Sequence, residues 1–148
     1  MNTKEAETLA KKLMSKHCPE YRFGWDNAKQ RFGCCHQREH LITLSKPITK
    51  LNDYDEVHNV ILHEIAHAIA GAGHGHDALW KSICRKIGAR PERCFTSASV
   101  ATPTANYFYE CPSCGKQYGT YRKRKRKGSC TICSGGIFNE KYLLKLIN

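Results

Sequence analysis

The stretch His63-Glu64-Ile65-Ala66-His67 decides how this chain is read. Its two histidines are four residues apart, so on a helix they stand one turn above the other on the same face and can hold one metal ion. Glu64 then lies beside the open coordination position, where it can take a proton from water at the metal. The combination points to a hydrolytic zinc centre of the metallopeptidase kind. The bland alternative is polar surface on an ordinary helix, and the flanking sequence argues against it. Asp53 followed by Glu56 has the form of a capping box, and Val57, Val60, Ile61, Ile65, Ala68 and Ile69 give an apolar face at helical spacing. Gly71 and Gly73 end the helix, which is expected to run from about Asp53 to Ala70.

Such a centre needs a third protein ligand and a fourth position left for water. The next segment, Gly71-Ala72-Gly73-His74-Gly75-His76-Asp77-Ala78-Leu79-Trp80, offers two candidates. Its glycines allow a sharp reversal, and Asp77 precedes an apolar-periodic run through Trp80, Ile83, Cys84 and Ile87. A second helix is therefore expected from about Asp77 to Lys86, closed by Gly88 and Pro91. His74 falls on the turn and His76 at the helix entrance, and spacing alone does not choose between them.

Nine cysteines without a secretory signal fit a disulfide framework poorly, and the odd count argues further against complete pairing. Cys111-Pro112-Ser113-Cys114 and Cys130-Thr131-Ile132-Cys133 form two Cys-x-x-Cys pairs with fifteen residues between them, the spacing of a four-thiolate structural zinc site. Gly115 follows the first pair and Ser134-Gly135-Gly136 the second, as two tight knuckles require. Two matched pairs argue against a redox role. Residues 111–148 are too few to build a self-sufficient core, so this segment is expected to be unfolded without its metal. Cys18, Cys34, Cys35, Cys84 and Cys94 read as packed small hydrophobes, with Cys34-Cys35-His36 the one place that invites a metal or nucleophile reading.

Charge separates the two parts. Residues 111–148 carry nine Lys and Arg against Glu140 alone, a net of +8, whereas residues 1–110 carry fifteen against twelve, a net of +3. Six of the nine form an uninterrupted run, Arg122-Lys123-Arg124-Lys125-Arg126-Lys127, preceded by Tyr118 and Tyr121. Such a run repels itself unless it is solvated or neutralised by a polyanion, and phosphate backbones are the commonest neutralising partner. On a hairpin strand its side chains would divide between two faces. Tyr118 and Tyr121 could stack on exposed bases, which would favour single-stranded or distorted DNA, although core packing is the more ordinary use for at least one of them. No base-reading helix is in evidence, so binding is expected to be salt-sensitive and poor in sequence preference.

At 148 residues with 41% hydrophobic content, the chain supports one modest domain with a small appendage. No apolar run approaches a membrane span, and Met1 to Lys12 is a charged helical pattern rather than a signal peptide. The expectation is a soluble intracellular protein with no membrane partner. Thr3 to about Lys16 reads as an amphipathic helix with Ala6, Leu9, Ala10, Leu13 and Met14 on one side. Residues 21–45 read as two or three strands, with Ser45-Lys46-Pro47 ending the last. Residues 96–106 are small, polar and broken by Pro103, and read as a linker. A short strand or helix is expected near Tyr142 to Ile147.

Over nearly its whole length the sequence resembles the SprT-like metalloproteases, the group of bacterial SprT proteins and eukaryotic Spartan. The matching pieces are Tyr21-Arg22-Phe23-Gly24-Trp25, Arg31-Phe32-Gly33-Cys34, Leu41-Ile42-Thr43-Leu44-Ser45, His63 to His67, His76-Asp77-Ala78-Leu79-Trp80 and the four-cysteine ribbon. Bacterial members take their third ligand from a His-Gly-x-x-Trp segment, and aligning on Trp80 selects His76. Here His76 is followed by Asp77, and the His-Gly pair is His74-Gly75. The resemblance implies an α+β, zincin-like metalloprotease domain over residues 1–95, with a small antiparallel sheet and an active-site helix. A linker over 96–106 and a basic zinc ribbon over 107–148 would follow.

The same resemblance implies one catalytic zinc on His63, His67 and His76 with Glu64 as general base, and one structural zinc on Cys111, Cys114, Cys130 and Cys133. It implies proteins trapped on DNA as the substrate class, cleaved with little sequence preference and with DNA as activator. The expected partners are DNA, bound without sequence preference and with single strands as one candidate form, and DNA-bound proteins. The chain is expected to act as a monomer, in the cytoplasm or on the nucleoid, or in the nucleus of a eukaryote. Two other classes remain: a non-catalytic DNA- or RNA-binding zinc protein, and a DNA-independent protease with one protein substrate. A purely structural domain has no need of Glu64 beside two histidine ligands, which speaks against the first.

Overall fold

Small residues at helical spacing set the first contact of the fold. Helix α1 (Thr3–His17) is capped by Asn2, whose side chain accepts the Glu5 N–H at 2.9 Å, and it buries Ala6, Ala10 and Met14. The two alanines leave room for α1 to pack directly on α3 (Tyr54–Ala70). The computed structural model of the chain describes residues 1–93 and 98–148, and these divide into two units, Met1–Pro103 and Thr104–Asn148.

The first unit holds three strands, β1 (Arg22–Asp26), β2 (Gly33–His36) and β3 (Leu41–Ser45), in the order β1-β3-β2. The sheet is mixed rather than the antiparallel one expected, because β1 runs parallel to β3 while β2 runs antiparallel to it. Residue alternation along a strand carries no information on its direction; the crossing from β1 to the far edge sets it. Residues 27–32 make that crossing at the end of β3, where Ser45 N–H donates to Phe32 O at 2.8 Å and the Ser45 hydroxyl donates to Ala28 O at 2.5 Å. Central β3 is covered on both faces, so Thr43 and Ser45 are buried along with Ile42 and Leu44.

Ser45 also begins a short helix beyond those expected from the sequence. Its hydroxyl oxygen accepts the Ile48 N–H at 3.2 Å, and Pro47 sits in the first turn of α2 (Lys46–Leu51), where its missing N–H costs nothing. Helix α3 starts as expected, with the Asp53 side chain accepting the Glu56 N–H at 3.1 Å. The return arm of the capping box is diverted, since the Glu56 carboxylate pairs with Arg90 at 2.8 Å. Val57, Ile61, Ile65 and Ala66 are wholly buried, each large apolar side chain contributing about 1.5–3 kcal/mol. Helix α4 (Ala78–Ile87) is capped by Asp77, whose carboxylate accepts the Trp80 N–H at 3.0 Å, and ends at Gly88 with φ of 88°. Among the described residues no helix is long and apolar enough to cross a membrane.

Of the segment 96–106, residues 98–103 group with the first unit and 104–106 with the second. Val100 is 3% exposed, and Asn52 clamps the next residue, accepting the Ala101 N–H at 2.9 Å and donating to Ala101 O at 2.8 Å. A side-chain amide thereby satisfies backbone in a segment whose small, polar composition reads as free. At the other end, Asn106 N–H donates to Thr120 O at 3.1 Å, so it belongs to the second unit. The expected boundary at residues 95 and 96, and Cys94, lie outside the described residues.

In the second unit β4 (Tyr107–Glu110) is central, with β5 (Gln117–Thr120) and β6 (Lys145–Leu146) antiparallel on either side. A 3₁₀ turn at Glu140–Tyr142 precedes β6, so the carboxy-terminal segment contains both a helical turn and a strand. The mixed α+β composition matches the class expected.

Candidate metal centres

Helix α3 presents His63 and His67 one turn apart, and the reversal at Gly71 (φ 84°) and Gly73 (φ 86°) brings His76 back against them. The His76 Nε2 lies 3.2 Å from the His67 Nε2 and 3.2 Å from the His63 Nε2. Three imidazoles on one tetrahedral zinc, at bonds of about 2.0–2.1 Å, have nitrogens about 3.3 Å apart, so this donor set fits that ion. Burial, and then the neighbouring imidazoles, push His63 down to about 3; burial and His76 push His67 down to about 4. His76 is lowered as well, first by burial. All three are therefore held in the neutral form that ligates a metal. His74 stands apart from this group, its Nδ1 bonded to the Asp77 carboxylate at 2.7 Å.

Two features hold the three rings in place. Trp80 has no exposed surface, and its ring centre lies 4.7 Å from His63, 5.2 Å from His67 and 4.6 Å from His76, so one indole forms a wall against every imidazole. Gln37, just after β2, donates to the His67 carbonyl at 2.5 Å and accepts the Tyr21 hydroxyl at 2.8 Å. That bond ties the last turn of α3 to the sheet side. In the sequence Trp80 stands out through apolar spacing and through its place after His76, whereas nothing there singles out Gln37.

Glu64 is 6% exposed and opens, with His63, His67 and His76, on a cavity of about 790 Å³. Burial pushes its carboxyl up to about 8, against the opposing pull of Arg31 and of a hydrogen bond from the Cys35 N–H. The other strand residue that shapes it is Gly33. A methyl group there would sit 2.9 Å from Glu64 Cγ and 3.1 Å from its Oε1, so only glycine lets β2 lie this close. In the sequence the signal of this close approach is a glycine opening a short strand.

The ribbon cysteines also converge. Cys111 and Cys133 have sulfurs 3.9 Å apart, and Cys114 and Cys130 3.7 Å apart. A disulfide needs about 2.05 Å, whereas four thiolates at about 2.3 Å from one zinc are about 3.8 Å from each other. Gly115 (φ 72°) and Gly135 (φ 67°) turn the two knuckles. Tyr118 places its hydroxyl 3.1 Å from the Cys130 sulfur, and Lys116 lies over its ring at 5.5 Å. Tyr118 therefore serves the cysteine cluster, which leaves less of it for stacking on a base. Tyr121 is half-buried. Residues Arg122, Lys123, Arg124, Lys125, Arg126 and Lys127 lie in a loop after β5, outside any strand.

Of the other described cysteines, Cys18 and Cys84 are buried in the core, Cys35 packs against it, and Cys34 lines the cavity on which Glu64 opens. Burial first of all raises the thiols of Cys18 and Cys84 to about 11 and that of Cys35 to about 12. At pH 8 each is a neutral thiol, so native protein should leave these three unmodified by iodoacetamide while denatured protein takes label at all of them. Peptide mapping by mass spectrometry reads the outcome; fast native labelling of Cys35 would return Cys34-Cys35-His36 to consideration as a reactive site.

A mixed-sheet unit offering three imidazoles and a buried carboxylate, followed by a basic four-cysteine ribbon, defines a candidate metalloprotein with two separate sites. The chain belongs to the SprT-like family, whose family model matches residues 4–102. It is similar to Protein SprT of Pseudomonas savastanoi pv. phaseolicola, 27% identical over 138 residues that cover 87% of this chain and 82% of that one. It is also similar to Protein SprT-like of Lactiplantibacillus plantarum, 34% identical over 96 residues covering 59% and 63%. No solved structure matches it.

Proposed function

We propose that the chain is a zinc-dependent endopeptidase of the zincin type that acts on proteins bound to or crosslinked to DNA. The observation that carries the catalytic half is the buried Glu64 carboxylate opening on the same cavity as the three convergent imidazoles. His63, His67 and His76 would hold the ion. When bound, zinc supplies the Lewis acidity that brings water towards neutral pKa and polarises a peptide carbonyl. Glu64 is the general base that takes the proton from the attacking water and returns it to the leaving amine. The Cys35 N–H and the close backbone of Gly33 aim that carboxylate.

The DNA half rests on the charge of the ribbon and on the family resemblance. A tethered protease needs no cleavage sequence, since proximity on the polyanion selects the substrate. On this reading the protein works where DNA is, on a nucleoid or in a nucleus, as a monomer. The experiment is cleavage of a DNA-bound protein by wild type and Glu64→Gln, with and without single-stranded DNA. DNA-stimulated cleavage lost in the variant supports the proposal. Binding without cleavage favours a non-catalytic zinc protein, and cleavage indifferent to DNA favours a protease with a dedicated substrate. Zinc analysis should return two ions per chain.

Gly33→Ala tests the aiming of Glu64. A carboxylate displaced by a methyl at 2.9 Å should lower turnover by about 10–100-fold with two zinc ions retained. Undiminished turnover in that variant would show that β2 does not position the base.

A further inference from the structure

The basic run is held from outside itself. Tyr109, on the central ribbon strand β4 and 7% exposed, accepts the Arg124 N–H on its hydroxyl at 2.9 Å. The Arg124 guanidinium lies over the same ring, 5.1 Å from its centre. Gly128 leaves the space this requires, since a methyl there would come within 2.6 Å of Arg124 Nη1. Gly128 is itself fixed, its carbonyl accepting the Leu144 N–H at 2.9 Å. The middle and the end of the loop are thus tied to the ribbon, while all six cations, Arg124 included, stand exposed.

A free loop of like charges spreads apart and loses conformational entropy when it closes on a polyanion. A loop ordered beforehand avoids that cost at the moment of binding. We infer that Tyr109 is a positioning residue for a nucleic-acid-binding loop: through Arg124 it presents the flanking five cations in a fixed arrangement to a phosphate backbone. The partner rests on the reading of the ribbon as DNA-binding, while the tethering of the loop does not.

Two variants loosen the tether in different ways. Tyr109→Phe keeps the ring and removes the acceptor, and Gly128→Ala pushes the guanidinium off the ring. Lys125→Ala is the comparison, removing one charge and no tether. In zinc-loaded full chain without DNA, trypsin should cut within residues 122–127 roughly five-fold faster in both tether variants. Binding of a single-stranded oligonucleotide across a salt series should be weakened roughly five-fold in Tyr109→Phe, with an unchanged slope of log K on log salt. Lys125→Ala should instead reduce the slope by about 0.7.

Equal trypsin rates in wild type and both tether variants would overturn the tether. Faster cutting with unchanged affinity, or a reduced slope in Tyr109→Phe, would overturn its role in positioning the cations. Wild type that binds no oligonucleotide sinks the DNA reading and the partner named here, and the trypsin rates then decide the tether separately. Two zinc ions per chain in every variant exclude a ribbon that has simply unfolded.

Discussion

Glu64→Gln is expected to lower proteolytic turnover by about 10²–10⁴-fold while keeping both zinc ions and the fold. Loss of activity follows because an amide has no basic site for the proton of the attacking water. Retention of the fold follows from the environment of the side chain. Burial raises the Glu64 carboxyl to about 8 in protein stripped of zinc, so its neutral form is the one the interior prefers. A carboxyl held above its unfolded value stabilises the fold fully below about pH 4.5 and loses that contribution as pH rises through about 8. Glutamine has no proton to lose. Chelator-stripped variant should therefore gain stability relative to stripped wild type between pH 5 and pH 9, read as the difference in thermal midpoint. Full proteolysis by the zinc-loaded variant would remove Glu64 from the mechanism.

Cys130→Ser, or removal of the ribbon metal, is expected to unfold the second unit and leave the first intact. Among the described residues 104–148, the buried apolar side chains are Tyr109, Cys111 and Cys130, and two of those are candidate metal ligands. Burial of so few groups, at about 1.5–3 kcal/mol for a large side chain, cannot offset about 1–2 kcal/mol of backbone ordering for each residue. Structural zinc in small modules contributes about 10–16 kcal/mol of apparent free energy, which is the scale needed. The measurements are zinc content, falling from two to one, and the amide NMR spectrum, in which ribbon signals collapse and those of residues 1–93 persist. A dispersed ribbon spectrum at one zinc per chain would show that packing alone suffices. The first unit survives because its core of Ile42, Leu44, Ile48, Val57, Ile61, Ile65 and Trp80 contains no ligand.

Local chemistry was the legible part of this sequence. Helices α1, α3 and α4 are written in apolar spacing and in caps at Asn2, Asp53 and Asp77, all of which act within one turn of chain. The paired cysteines were legible for a similar reason, since each knuckle is a local turn. Helix α2 is not legible in the sequence because Ser45 both ends a strand and caps a helix. The order beside Val100 is not legible there because Asn52, distant in sequence, supplies the hydrogen bonds of Ala101.

By itself the sequence determined which side chains are available for chemistry: His63 and His67 on one helical face with Glu64 between them, four cysteines in two knuckles, and a run of six cations. Tertiary structure decided which of them meet. Spacing left His74 and His76 equivalent, and the Gly71–Gly73 reversal turned His76 onto the helix while Asp77 held His74 aside. It also turned Gly33 into the wall of Glu64, Trp80 into the backing of three imidazoles, and Tyr109 into the anchor of a loop fifteen residues away. Periodicity and capping act through neighbours along the chain, whereas close approach, ring contact and strand direction depend on elements brought together only by folding.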